Sequence, residues 1–288
     1  MIKASSVFEL LILAAIWGAS FVFMRVAVPE FGATPLIGVR IGVAVLFLLP
    51  FFLVKYQVRQ LADNKLSIFI VGIFGSALPF SLFAYSTLYL SAGLTAVLNA
   101  AVSIFTALVA YAWLGENLSF KRVAGLVIGF FGVCLLVYTA GALDHRATLL
   151  AVMAGLLAAL SYAFNNCYIK LYCSHISPLR LTVASLFSGF LLLCPFMIYL
   201  WPEQVPSTQA WLSALVLGVV CTGLALIMFF RLIIALGPTR SGLVGLLIPV
   251  FAVIWGLLWL GETLTLGMLF SGTLILLGTA LASNLLGK

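Results

Sequence analysis

The hexapeptide WLGENL at residues 113–118 returns as WLGETL at residues 259–264, an offset of 146 (259 − 113 = 146). The chain has only seven acidic residues in 288, so two of them in one repeated motif ask for a reason. The carboxylates could be catalytic, could carry protons, or could be punctuation. Each copy joins one apolar run to the next. Trp113 and Trp259 suit a membrane–water interface. The glycine suits a helix C-terminus, and Ser119 and Thr265, three residues after each glutamate, suit the N-cap of the next helix. The motif reads as the turn of a helical hairpin.

Working outward, the chain is 65% hydrophobic and 7% charged, with a mean hydropathy of +1.29. Soluble domains carry roughly 25% charged residues. Many apolar runs reach the roughly 20 residues that cross a bilayer as a helix. Segments such as VAGLVIGFFGVCLLVY lack the period-two alternation of a membrane barrel. Backbone groups must be satisfied internally in lipid, so the runs are helices and the fold is an all-α polytopic membrane protein. The net charge of +7 is scattered between spans, which argues against a nucleic-acid partner. Cys134, Cys167, Cys173, Cys194 and Cys221 lack CxxC spacing and read as apolar filler, with no metal site or cofactor expected. No small-residue cleavage site follows the first apolar run, so the first helix is expected to be retained.

Ten transmembrane helices are expected at 7–28, 35–55, 66–89, 92–113, 119–139, 147–170, 178–200, 209–235, 239–260 and 265–286. Pro35, Pro178 and Pro238 sit at or beside starts, where a missing N–H costs little. An even number of spans puts both termini on one side. With the termini in the cytoplasm, Lys3, Lys55, Arg59, Lys65, Lys121, Arg122, Lys170, Arg180, Arg231, Arg240 and Lys288 lie inside. Arg25, Arg40 and Arg146 lie outside. That bias predicts cytoplasmic N- and C-termini.

The hexapeptides belong to a longer repeat. FAYSTLYLSAGLTAVL from Phe83 matches FFRLIIALGPTRSGLV from Phe229 at the same offset, and Gly132 matches Gly278. At an offset of 145, AAIWGASFVFMR ending at Arg25 matches AALSYAFNNCYIK ending at Lys170, with one gap, and Pro50 matches Pro195. Two five-helix halves follow, 1–142 and 143–288. Five is odd, so the halves are expected to be inverted. Inverted repeats hold a site near the midplane and open it to alternate sides.

WGASFVFMRVAVPEFGATPLIGVRIGVAVLFL, YLSAGLTAVLNAAVSIFTALVAYAWLGENLSFKRVAGLVIGFFGVCLLV and LLIPVFAVIWGLLWLGETLTLGMLFSGTLILLGTALA together resemble the drug/metabolite transporter superfamily, EamA type. The likeness covers essentially the whole chain and is most specific at the doubled LGE hairpin. It implies a ten-helix secondary carrier that moves metabolites outward, in a bacterial inner membrane, with a central cavity and with helices 5 and 10 peripheral. Within the family the chain looks most like amino-acid exporters of YddG type. It departs from the family pattern at Ser103, where the second half has Pro249, which weakens any symmetric hinge.

The substrate-binding candidates are Trp17, Ser20, Tyr85, Asn99, Ser103, Tyr162, Asn165 and Asn166. Trp17 and Tyr162 are repeat counterparts. Amides in hydrocarbon are costly unless partnered, so the asparagines line a wet cavity or bond between helices; either reading fits the sequence. Pro79 and Pro249 leave carbonyls unpaired inside spans and are candidate hinges, or static kinks. Arg25, Arg40, Lys170 and Arg231 lie within about two turns of span ends, where long side chains snorkel. Arg40 is the deepest and is a candidate for a substrate carboxylate. GVRIG at 38–42 and GLVIG at 125–129 are assigned to helix packing, and no oligomer is required.

No P-loop is present, and the acidic residues and histidines sit near span ends or in links. Facilitated diffusion or exchange of a small molecule, an amino acid or related metabolite, is the expected activity. The rivals are an intramembrane enzyme, for which serine-protease and aspartate-rich motifs are missing, and a membrane scaffold, which gives no reason for an inverted repeat. The chain is not expected to be an enzyme.

Overall fold

Apolar runs punctuated by glycine, proline and capping hydroxyls give ten helices among the described residues. The computed structural model describes residues 4–55, 64–117, 119–139, 145–236, 244–263 and 265–282. Lys3, Arg59, Pro238, Arg240 and Lys288, used in the expectations above, lie outside them. The helices are α1 (Ala4–Phe31), α2 (Ala33–Lys55), α3 (Lys65–Tyr89), α4 (Ala92–Leu114), α5 (Phe120–Thr139), α6 (Arg146–Cys173), α7 (Pro178–Tyr199), α8 (Thr208–Gly218 running on to Leu236), α9 (Val244–Leu260) and α10 (Leu266–Ala282). Eight are long and apolar enough to cross a bilayer; α9 and α10 are shorter within the described residues. No strand occurs among the described residues.

The expected punctuation is in place. Ser119 Oγ accepts from Arg122 N at 3.4 Å, and Thr265 Oγ1 accepts from Met268 N at 3.2 Å. Gly115 and Gly261 take φ of +66° and +61°, the left-handed turn that ends a helix and that a side chain resists.

Among the described residues, three helices contain π-helical turns that their composition does not announce: Ile73–Ala77 in α3, Ile169–Cys173 in α6 and Val219–Leu224 in α8. The first and third begin 146 residues apart. Pro79 withdraws a hydrogen bond from α3, but α8 has Ala225 at the matching place, so proline is not the shared cause. The shared feature is a hydroxyl at matched positions. Ser76 Oγ donates to the Gly72 carbonyl and Thr222 Oγ1 to the Leu217 carbonyl, both at 2.8 Å. Back-bonding of this kind loosens the helical ladder.

Packing repeats the sequence symmetry. The α5–α10 pair and the α2–α7 pair each join matched helices of the two halves. The α1–α9 contact is matched by α6–α4, α3–α6 by α8–α1, and α3–α7 by α8–α2. Gly38 and Gly42 of the first GxxxG face Met197 and Phe190 of α7. In the α5–α10 pair, a methyl group on Gly278 would meet the Gly129 backbone. This pair is peripheral, with Phe130, Phe131 and Phe270 turned outward. The main core instead gathers Phe21, Phe31, Leu36, Leu48, Phe52 and Leu217 from α1, α2 and α8.

The hexapeptides lie at opposite ends of this bundle. α4 starts at Ala92, whose N–H donates to Glu262, and ends at Leu114, two residues before Glu116. Its 23 residues span about 34 Å at 1.5 Å each.

Candidate functional site

A cavity of about 500 Å³ lies among α1, α2, α3, α4, α6, α7, α8 and α9. Trp17, Ser20, Asn99, Ser103, Tyr162, Asn165 and Asn166 line it. Tyr85, the eighth candidate, is not among its lining residues; its ring packs 5.4 Å from Tyr89 and against a cluster that includes Leu94 and Val152. Pro79 and Pro249 are buried within their helices and do not line it either.

The cavity is lopsided. On α1 its lining stops at Met24, one residue before Arg25, and on α4 it starts at Asn99, seven residues in from Ala92. On α6, α7 and α9 it includes Ile169, Leu181 and Val244, close to the helix ends on the Glu116 side. A smaller cavity of about 280 Å³ shares Val102, Ser103 and Asn166 with it and runs to Glu116, Arg122 and Lys170. The space therefore extends toward the Glu116 end and stops short of the Glu262 end.

Each end carries a carboxylate bound across the repeat. Glu262 Oε1 lies 3.0 Å from Arg25 Nε, and its carboxylate accepts from Ala92 N at 2.8 and 3.1 Å. Arg25 also donates to the carbonyls of Thr87, at 2.9 Å, and Leu90. At the other end Glu116 takes Lys170 Nζ at 2.6 Å and an Arg122 guanidinium nitrogen at 3.2 Å. Lys170 and, second, Arg122 hold the Glu116 carboxyl below the usual carboxylate range. Arg25 and Lys170 are themselves repeat counterparts. Each hexapeptide glutamate thus meets a cation near the end of a first helix, Glu116 in the opposite half and Glu262 in its partner half. This corrects the reading of the motif as punctuation alone: turn geometry accounts for the glycine and hydroxyl, and cross-half pairing accounts for the glutamate. Glu262 satisfies an amide of α4 rather than of the helix that follows it.

Within the cavity, Trp17 Nε1 donates to the Cys221 carbonyl at 3.1 Å, and its ring sits 5.2 Å from Phe229. Ser20 Oγ donates to the Trp17 carbonyl at 2.6 Å. Tyr162 packs 6.3 and 6.1 Å from Phe80 and Phe83. Asn165 is buried, and its Oδ1 has no partner.

Arg40 does not snorkel. It is 4% exposed, its Nε donates to Thr222 Oγ1 at 2.9 Å, and its guanidinium lies 4.1 Å over the Phe80 ring. Two turns from the start of α2 leave it facing α8 and α3 rather than lipid. Thr222 and Phe80 were not singled out from the sequence. The match of Ser76 to Thr222 at the repeat offset is the signal that could have found the first; nothing distinguishes Phe80 among 23 phenylalanines.

Comparison with known proteins places this geometry. A family model described as EamA-like transporter family matches residues 4–138 and 149–284. A Bacillus subtilis protein described as uncharacterized transporter YoaV is 26% identical over 270 residues, covering 91% of each chain. An Escherichia coli protein described as "Probable amino-acid metabolite efflux pump" is 26% identical over 292 residues, covering 96% of this chain and 93% of its own. A solved crystal structure aligns over 97% of both chains with a TM-score of 0.65 at 16% identity, which speaks to the fold alone.

Proposed function

The chain belongs to the EamA-like transporter family, and on that premise we propose that it exports amino acids from a bacterial cell. The halves 1–142 and 143–288 rock about the central cavity, with Pro79 and Pro249 as bending points and both termini in the cytoplasm. The observation that carries this reading is the lopsided cavity, extended toward Glu116 and stopped short of the Arg25–Glu262 pair. Under the charge bias of the sequence, that is a conformer facing the cytoplasm. The amino-acid class draws on the Escherichia coli relative.

No carboxylate lines the central cavity among the described residues. Proton-coupled carriers hold an ionisable acid in mid-membrane, so transport runs by facilitated diffusion or exchange down the substrate gradient. The test is flux of labelled amino acids across proteoliposomes of the purified chain. Uptake is expected to reach equal concentrations and to accelerate when unlabelled substrate is present on the far side. Accumulation driven by an imposed pH gradient would refute this mode of energy use, and no flux of any amino acid would refute the export reading.

A further inference from the structure

The central cavity carries a fixed positive charge and, among its described lining residues, no fixed negative one. Arg40 offers five N–H donors. Its Nε is taken by Thr222 Oγ1, and a terminal nitrogen rests 3.6 Å from the Met24 sulfur, a weak acceptor. No carboxylate lies within 4 Å of it among the described residues. A guanidinium out of water without a counter-charge is costly.

Packing does not call for that charge. The matched position in the second half is Ser185 (40 + 145 = 185), which lines the same cavity from α7, in the contact with α3 that mirrors α2 with α8. Ser185 satisfies its hydroxyl locally on the Thr182 carbonyl at 3.1 Å. The fold is therefore served by a serine in one half and carries an arginine in the other.

Asn165 breaks the symmetry in the complementary sense. Its counterpart Ser20 is satisfied by the Trp17 carbonyl. Asn165 is 6% exposed, lines the cavity and leaves Oδ1 without a donor. A buried acceptor without a partner is as costly as a lost hydrogen bond. One half thus adds unspent donors and the other an unspent acceptor, with Phe80, Phe83, Tyr162 and Trp17 supplying aromatic walls.

We propose that Arg40 binds the carboxylate of the ligand and that the Asn165 carboxamide, which packs against Gly75 in this conformer, turns into the cavity so that its Oδ1 accepts from the ammonium group. The site then selects an α-amino carboxylate with an apolar or aromatic side chain. This deepens the export reading and rests on it only for the ligand being cargo, because binding can be measured without flux.

The experiment is calorimetric titration of the purified full chain in detergent with L-phenylalanine, L-phenylalaninamide, which lacks the carboxylate, and 3-phenylpropionate, which lacks the ammonium. L-Phenylalanine is expected to bind about ten- to a hundredfold more tightly than either, the worth of one charge-assisted contact. Arg40→Met should bring L-phenylalanine down to the level of its amide, and Arg40→Lys should restore part of the gap. Asn165→Leu should bring it down to the level of 3-phenylpropionate. Equal binding of the three ligands, no binding of any, or an Arg40→Met variant that keeps its carboxylate preference would overturn the assignment. If neither Arg40 variant folds, the wild-type ligand ranking decides the carboxylate arm alone. Discrimination among the ligands without flux in proteoliposomes would leave the site standing and remove the transporter reading.

Discussion

The Glu262 carboxylate stands 3.0 Å from Arg25 Nε while accepting the Ala92 N–H, so one side chain beyond α9 binds α1 and the start of α4 together. The Glu262 side chain is 9% exposed, where charge-assisted bonds are worth more than on a wet surface. Glu262→Ala should cost about 1.5–3 kcal/mol, the range for a hydrogen bond to a charged group, read as a lowered unfolding midpoint in detergent. It should also raise thiol labelling of a Ser20→Cys variant from the Glu262 side. An unchanged midpoint and unchanged labelling would show that this pair does not hold that end shut.

The two ends should differ in coupling strength. Lys170 is 63% exposed, against 34% for Arg25. A double-mutant cycle on Lys170 and Glu116 should return about 0.2–1 kcal/mol, the range for exposed pairs. The cycle on Arg25 and Glu262 should return more. Equal values would remove burial as the difference between them.

Acid should release the Glu116 end. Its carboxyl is held low, first by Lys170 and then by Arg122, so it titrates below the unfolded value of about 4.3. A depressed folded pKa stabilises at pH above the unfolded value, and the benefit is lost as pH falls through the folded one. The midpoint difference between wild type and Glu116→Gln should therefore be constant from about pH 8 to pH 5 and shrink below about pH 4.3. A difference that persists unchanged at pH 3 would contradict this.

Thr222→Val should act twice. The hydroxyl accepts from Arg40 and donates to the Leu217 carbonyl inside the π-helical turn. Its loss leaves a buried guanidinium donor unmet, at about 1–3 kcal/mol, seen as a lower unfolding midpoint. Thr222→Ser keeps the oxygen and should restore most of it. Equal damage by the two variants would point to the methyl group instead.

Pro249 lies inside α9, which continues to Leu260. Pro249→Ala should slow turnover several-fold at unchanged binding affinity if bending there is part of the cycle. Unchanged flux would reduce the proline to a static kink.

The spans, their caps and the doubling of the chain were legible because each leaves a local mark: an apolar run, Ser119 and Thr265, Gly115 and Gly261. What joins distant residues was not. Glu262 and Ala92 are 170 positions apart, and nothing near either names the other. Arg40 read as a snorkelling residue because depth counted from a helix end ignores what stands beside it, here Thr222 and Phe80. Tyr85 read as cavity-lining because helix 3 borders the cavity, but its face of the helix packs on the cluster of Leu94, Leu98, Ala151 and Val152. The π-helical turns shift facing by part of a turn, and only the paired hydroxyls Ser76 and Thr222 hint at them.

The bond from Ala92 to Glu262 has no counterpart in the amino-acid alphabet of the other end. The residue matched to Ala92 is Pro238 (92 + 146 = 238), which has no N–H to give. If the halves rock as proposed, the two closures are therefore chemically unequal, and this bond favours the conformer sealed at Glu262. Such an offset cannot pump, since an uncoupled carrier still comes to equal concentrations. In that proposed cycle it sets where the empty protein would wait: on the side away from Glu262, where substrate would meet a ready site and half-saturate transport at lower concentration than from the opposite face.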